Sequence, residues 1–297
     1  MNSKQAFAEK LKHHGLNIKL GPFSFNIKSS IPNIIDEIHT NYQHHELLND
    51  NSFIDFYVSV NKAHNIRRWI RPQVDFYVDG HKPFKPLPIN QAYPMLEWGM
   101  NWCIANYGHY FLIIHAGVIA KDDKAIVFPA PQGSGKSTLT AALANSGWRL
   151  LSDELAIISL QDGRVYPCTR PISLKNESIN IISTRFPKAR LMPPVADTTK
   201  GTVSLMKPDN NSVTNDSIPA NIAAVVFPKY HLAGKGRFEQ KEKSQTLIEL
   251  IQNSFNYHVI SKQGFDMAAS IVDSASCYDY VYSDLTKAID DFDALLK

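Results

Sequence analysis

The segment Ala130-Pro131-Gln132-Gly133-Ser134-Gly135-Lys136-Ser137 carries the residue types of a loop that holds phosphate. It follows the Walker A pattern G-x-x-x-x-G-K-[ST], with Ala130 in place of the first glycine. Gly133 and Gly135 lack Cβ atoms, so successive backbone N–H groups around Ser134 can turn inward to phosphate oxygens. A helix starting near Lys136 and running through Thr138 adds the partial positive charge of its N-terminus. The Lys136 ammonium can reach the β- and γ-phosphates, and the Ser137 hydroxyl can ligate Mg²⁺. Ala130 matters only if its position needs a positive φ.

Asp153-Glu154 follows Lys136 by one helix and one short strand. A right-handed β-α-β crossover makes the second strand parallel to the first, so its carboxyl end lies on the sheet edge that carries the loop. Asp153 is therefore expected close to the terminal phosphates. There it would hold Mg²⁺ together with Ser137, or accept a proton from an attacking hydroxyl, with Glu154 as the alternative carboxylate. A hairpin centred between Asp122 and Asp123 puts His115 opposite Ala130, at the mouth of the loop. A histidine there serves either as a partner of a catalytic carboxylate or phosphate, or as a satisfied core residue; the sequence leaves both open. Phosphoryl transfer needs cations for developing charge. Arg170, Lys175 and Lys200 lie in loops and are the candidates, each with solvated surface as its alternative. The pairs His13-His14 and His44-His45 lack metal-ligand spacing and are expected on the surface.

The elements that position these residues can be read from the pattern. Phe111–Ala120 and Ala125–Phe128 are apolar strands on either side of a polar turn. Thr138–Ala144 is helical and ends at Asn145-Ser146-Gly147; Trp148–Leu151 is a strand closed by Ser152-Asp153-Glu154. Before this block, residues 16–86 read as strands around a helix capped by Ser30, with Pro32 in its first turn and Ile34, Ile35 and Ile38 on one face. Arg67-Arg68-Trp69-Ile70-Arg71 reads as an edge strand. The proline-rich stretch Lys82–Pro88 joins two parts: an N-terminal α+β part (1–88) with a bearing on the acceptor, and a catalytic part (89–297). Leu96, Met100, Cys103 and Tyr107 recur at helical spacing beside Trp98 and Trp102, a packing stripe. Later come a buried strand at 223–228, a helix at 244–255, a strand at 277–283 and a last helix from about Asp284.

The chain of 297 residues has a net charge of +3, which offers no polyelectrolyte face for nucleic acid. Its longest apolar run, Phe111–Ala120, is about half of what a membrane span needs. Three scattered cysteines, Cys103, Cys168 and Cys277, form neither a disulfide framework nor a zinc pattern, which fits a cytoplasmic protein.

The block from His115 through GSGKST to GWRLLSDE resembles the HPr kinase/phosphorylase superfamily. Its closer similarity is to the branch called HprK-related kinase A. That similarity takes in PLPINQAYPMLEWGMNWCIA, RPISLKNESI, DTTKGTVSLMKP and AVVFPKY, nearly the whole chain. The resemblance implies an α/β fold with a PEP-carboxykinase-like P-loop kinase core and a mixed sheet, with ATP and Mg²⁺ as cofactors. It implies Asp153 as base or metal carboxylate, Lys136 and Ser137 on nucleotide and metal, and serine of a peptide or protein as acceptor. It also suggests a PqqD-like peptide-binding protein as partner, and leaves a homo-oligomer open. The chain departs from true HPr kinases in having Asp153-Glu154 for two aspartates and His115-Ala116-Gly117 for His-Gly. It also lacks the later glycine-rich signature, so the resemblance stops short of HPr as acceptor and of the reverse, phosphorolytic reaction. Two other classes fit the residues: a small-molecule kinase, and a nucleotide-binding component of a peptide-modification complex that transfers nothing. An ABC-type ATPase does not fit, because no LSGGQ-like segment precedes the acidic pair.

Overall fold

The computed structural model describes residues 4–63, 70–131 and 133–296. The N-terminal part contains α1 (Lys4–His13), β1 (Leu16–Leu20), β2 (Phe23–Ser29), α2 (Pro32–Tyr42), β3 (Phe56–Lys62), β4 (Gln73–Val78) and β5 (Leu87–Pro88). Its strands form a sheet in the order β1-β2-β3-β4-β5, antiparallel except for the β2–β3 pair. Pro32 opens α2, and Ile34, Ile35 and Ile38 are buried. The cap differs from expectation. Ile31 occupies the capping position, and the Ser29 hydroxyl, not Ser30, accepts from the Ile31 N–H. β5 pairs with β4 at the sheet edge, where proline costs no ladder bond. Residues 67–69 of the expected basic edge strand lie outside the described residues.

The second part opens with α3 (Ala92–Tyr107), β6 (Phe111–Lys121), β7 (Lys124–Pro129), α4 (Lys136–Ala144), β8 (Arg149–Ser152), β9 (Leu155–Ser159) and β10 (Val165–Tyr166). Next come β11 (Ile172–Lys175), α5 (Glu177–Arg185), β12 (Val195–Thr198), β13 (Gly201–Met206) and α6 (Asn210–Thr214). The chain closes with β14 (Asn221–Tyr230), β15 (Arg237–Gln240), α7 (Lys243–Gln252), α8 (Tyr257–Ser274), β16 (Ser276–Tyr282) and α9 (Leu285–Leu295). The main sheet runs β10-β9-β6-β7-β14-β16-β15, with β8 also pairing β6. β7, β14 and β16 are mutually parallel neighbours, and the outer pairings are antiparallel, so the fold is mixed α/β. β14 is apolar through its middle because both of its faces are covered. On one face Phe128, Val226 and Tyr280 pack with Leu139 and Leu143 of α4 and Phe292 of α9. On the other, Val127, Val225 and Ala116 pack with Leu250 of α7 and Ile260 and Ile271 of α8.

β7 and β8 are parallel in direction, but β6 lies between them. The expected crossover therefore passes over a strand rather than joining neighbours. β8 ends at the acidic pair, as expected, and the chain goes straight on into β9 along the same partner strand. Val118 pairs with Ser152 and His115 with Leu155 in one register that continues into β9, while on the β8 side the register shifts between Val118 and Ile119. Asp153-Glu154 is thus a bend between two strands that share β6 as partner, and the Glu154 carbonyl still accepts from the Ala116 N–H at 3.2 Å.

The two parts share a core: Phe25, Ile38 and Phe76 belong to one buried cluster with Met100, Ile157 and Leu205. The helical stripe of α3 lies here, with Leu96, Met100 and Cys103 buried and Tyr107 half exposed. No helix among the described residues is long and apolar enough to cross a membrane.

Candidate active site

The phosphate-type loop sits between the end of β7 and the start of α4. Gly133 and Gly135 have φ of 83° and 91°, the left-handed region that only glycine enters without strain. Ala130 is buried and is not in that region, which is why alanine serves where the pattern has glycine. The loop is fastened from the neighbouring parallel strands. The Tyr230 N–H at the end of β14 donates to the Ser134 carbonyl at 2.7 Å, and the Tyr282 hydroxyl at the end of β16 donates to the Gly135 carbonyl at 3.0 Å. A Cβ on Gly135 would stand 2.6 Å from the Tyr282 oxygen and 2.9 Å from Tyr230 Cβ. Both the backbone angle and the space therefore require glycine there.

Lys136 opens α4 and is only 6% exposed. Its ammonium lies 3.1 Å from His115 Nε2. Burial pushes its pKa down, while Glu154 and Asp153 oppose that shift. Gly117 lets α4 settle this close to β6, since a Cβ there would meet the Thr140 hydroxyl at 2.6 Å. His115 lies opposite the position of Ala130, one residue past the last β6–β7 pair, Ala116–Pro129. Its backbone N–H donates to the Asn253 carbonyl at 2.8 Å, and its ring stacks obliquely on Phe255.

The two acids of the bend have different surroundings. Asp153 is 4% exposed; its Oδ2 accepts from the Ser173 N–H at 3.3 Å, and the Ser137 side chain is near enough to favour its charged form. Burial pushes Asp153 above the ordinary carboxylate range, against the charge of Lys136. Its Oδ1 is buried without a hydrogen-bond partner among the described residues. Glu154 is drawn the other way. Burial alone would raise it, but a hydrogen bond from His115 and the charges of Lys136, Lys200 and Lys175 hold it below its usual value. Glu154 Oε2 stands 3.3 Å from His115 Nε2.

A cavity of about 1320 Å³ opens over this group. His115, Gly133 to Thr138 and Glu154 line it, together with Lys175, Lys200, Tyr230, Tyr282 and the facing ends of α5 and α9. Glu154 faces this space. Asp153 lines a smaller cavity behind it, with Trp98, Arg170 and Ser173.

The three candidate cations separate. Lys175 ends β11 and Lys200 turns the β12–β13 hairpin, and both line the large cavity. The Lys200 ammonium rests 5.3 Å from the centroid of the Trp98 ring, and burial lowers its pKa, with Glu154 opposing. Arg170 is neither solvated nor on this cavity. It is 6% exposed and spends its guanidinium on Glu97, with Nη2 2.6 Å from Oε2 and 2.6 Å from the Glu97 carbonyl, and Nη1 2.7 Å from Asn101 Oδ1. The Tyr42 hydroxyl donates to the other Glu97 oxygen at 2.7 Å, so Arg170 joins the N-terminal part to the core.

His45 is likewise no surface residue. It is 6% exposed, and its Nε2–H donates to the Thr169 carbonyl at 2.8 Å. His13, His14 and His44 are exposed, as expected. Tyr230, Tyr282 and Arg185 are cavity residues that local pattern reading passes over. Tyr230 and Tyr282 each end a strand of the parallel set, and strand ends on the loop's edge are the signal that points to them.

Among the described residues no group of three or more His, Cys, Asp or Glu comes together to hold a metal. No family model matches the chain, and no curated protein matches it. Among solved structures, the HPr(Ser) kinase/phosphatase from Coxiella burnetii aligns with 62% of this chain and 93% of its own, at 10% identity and a TM-score of 0.28. At that level of overlap the likeness bears on neither activity nor residue roles.

Proposed function

We propose that this chain is an ATP- and Mg²⁺-dependent kinase that transfers the γ-phosphoryl group to a hydroxyl, with serine of a peptide or protein as the acceptor. The observation that carries the reading is the grouping of Lys136 and Ser137, at the start of α4, with Asp153 and Glu154 at the bend between β8 and β9. A loop that only bound phosphate would not need two carboxylates under its lysine.

The residues fit a Mg²⁺ ion. This ion keeps several waters and takes one or two carboxylates plus phosphate oxygens, so it needs no all-protein cage. The Ser137 hydroxyl and the Asp153 carboxylate would hold it, and Asp153 Oδ1 is a buried acceptor with capacity to spare. When bound, the ion supplies charge neutralisation for the β- and γ-phosphates. Loop N–H groups and Lys136 bind the triphosphate, while Lys175 and Lys200 meet the charge that spreads over the transferring group. In the transfer the acceptor oxygen forms a bond to Pγ, the bond from Pγ to the β–γ bridging oxygen breaks, and ADP leaves. The acceptor's proton goes to Asp153. A carboxyl pushed up by burial is a better base than an ordinary aspartate, and Glu154, held low, suits a fixed anion for Lys136 and His115.

Serine is favoured over a small molecule by the resemblance to HprK-related kinase A, which also suggests delivery of the peptide by a PqqD-like protein. The test is incubation with γ-labelled ATP, Mg²⁺ and peptides encoded beside the gene. An acid-stable, alkali-labile phosphate ester on serine is the expected product. Label found only on a metabolite would transfer the reading to a small-molecule kinase. ATP binding without transfer to any acceptor would leave a nucleotide-binding component.

A further inference from the structure

We infer that Tyr230 is the platform on which the nucleotide's base stacks, and that the nucleoside end of the cavity lies at the tips of β14 and β16. The inference rests on the nucleotide reading above and adds a ligand subsite to it.

Strand order sets the direction of the bound triphosphate. The loop strand β7 has β6, with β8 and β9 beyond it, on one flank and β14, then β16, on the other. The acidic bend, His115 and Lys136 lie toward the first flank, and chemistry at the terminal phosphate belongs there. A triphosphate seated on Gly133 to Ser137 with its γ end at that flank sends its α-phosphate and nucleoside toward the second. What stands there is a tyrosine 47% exposed on the rim of the cavity. Its backbone is tied to the loop at Ser134, and its ring is braced edge-on by Tyr282, centroids 5.8 Å apart at 72°. A half-exposed aromatic ring fixed by the phosphate loop itself is a preorganised stacking surface. Ile181 of α5 and Leu285 at the start of α9 add apolar lining across the same space. At about 1320 Å³ the cavity exceeds what a triphosphate alone would fill.

Calorimetry on the full chain with two probes tests the assignment: ATP, and inorganic tripolyphosphate, which has the phosphates without the nucleoside. Tyr230→Ala should weaken ATP roughly 5- to 150-fold, the range of base–aromatic stacking, and leave tripolyphosphate within about twofold. Tyr230→Phe keeps the ring and should restore ATP affinity to near that of the unsubstituted protein. Equal loss of both probes in Tyr230→Ala would overturn the inference, because Tyr230 would then act through the Ser134 backbone. Unchanged ATP affinity would overturn it as well. If the nucleotide reading itself is wrong, the signature differs: the unsubstituted protein binds neither probe.

Discussion

The Lys136 ammonium lies 3.1 Å from Nε2 of His115. An ammonium only donates, so this ring nitrogen accepts, and the ring proton belongs on Nδ1. The same Nε2 is 3.3 Å from Glu154 Oε2, a pure acceptor, which it can serve only when it carries a proton. The two contacts are therefore alternatives at one atom.

Lys136→Ala removes the lysine side of this arrangement. ATP affinity, measured by calorimetry, should fall about 10- to 150-fold, the worth of hydrogen bonds to a charged group. Circular dichroism should show the helical content unchanged. A folded variant that binds ATP as before would end the phosphate-loop assignment.

Asp153→Asn should separate binding from chemistry. Transfer should slow by about 10²- to 10⁴-fold while affinity for ATP measured without Mg²⁺ is kept. Because burial raises Asp153, the acidic limb of the rate profile of the unsubstituted enzyme should lie above the ordinary aspartate range, and the rate should climb with pH through it. If Asp153→Asn keeps its rate and Glu154→Gln loses it, the carboxylate that faces the large cavity is the base.

Arg170→Met tests a cation that holds structure rather than phosphate. The Arg170–Glu97 pair is 7% and 5% exposed, and removing one member leaves the other charge buried. Unfolding free energy in urea should drop by about 3–5 kcal/mol, with ATP affinity of the folded protein unchanged. A stable variant with lost affinity would return Arg170 to the site.

Thr169 is held from both sides by groups that titrate in opposite senses. Its carbonyl accepts from His45, whose pKa burial lowers to about 4, and its N–H donates to Asp216, whose pKa burial raises to about 6. As pH falls from 6.5 toward 4, the unfolded chain protonates His45 first, so the native state loses stability. As pH falls through 6, native Asp216 takes a proton before the unfolded chain does, so stability is gained. His45→Gln should therefore grow more stable between pH 7 and pH 4.5 relative to the unsubstituted protein, and Asp216→Asn less stable. Urea midpoints across that range read both slopes. Parallel slopes in all three proteins would show that neither group titrates in this way.

The glycine loop's backbone and the pairing of its hairpin could be read from sequence because both are local. Two-residue turns fix register, and Gly133 and Gly135 stand where positive φ occurs. The insertion of β6 between β7 and β8 could not, because hydrophobic runs do not name their partners. Residue type makes Arg170 a candidate site cation with solvated surface as its alternative, and puts His45 at the surface. Their burial depends on Glu97 and Thr169, 73 and 124 positions away, which no local pattern encodes. Tyr230 lies two residues beyond the strand expected at 223–228; the longer β14 and the strand order make it a neighbour of Ser134.

The bend at Asp153-Glu154 makes the main sheet a ruler for the site. The pairs Val118–Ser152 and His115–Leu155 bracket the two acids, so their place beside His115 is measured out in strand residues, not in loop. Length can change in the turn at 145–147 or in the hairpin at 160–164 without shifting either carboxylate. One residue added between Ser152 and Leu155 would break the ladder on one side of the bend and carry an acid off its partners. Descendants of this chain should therefore differ in length around the acidic bend and stay constant in length across it.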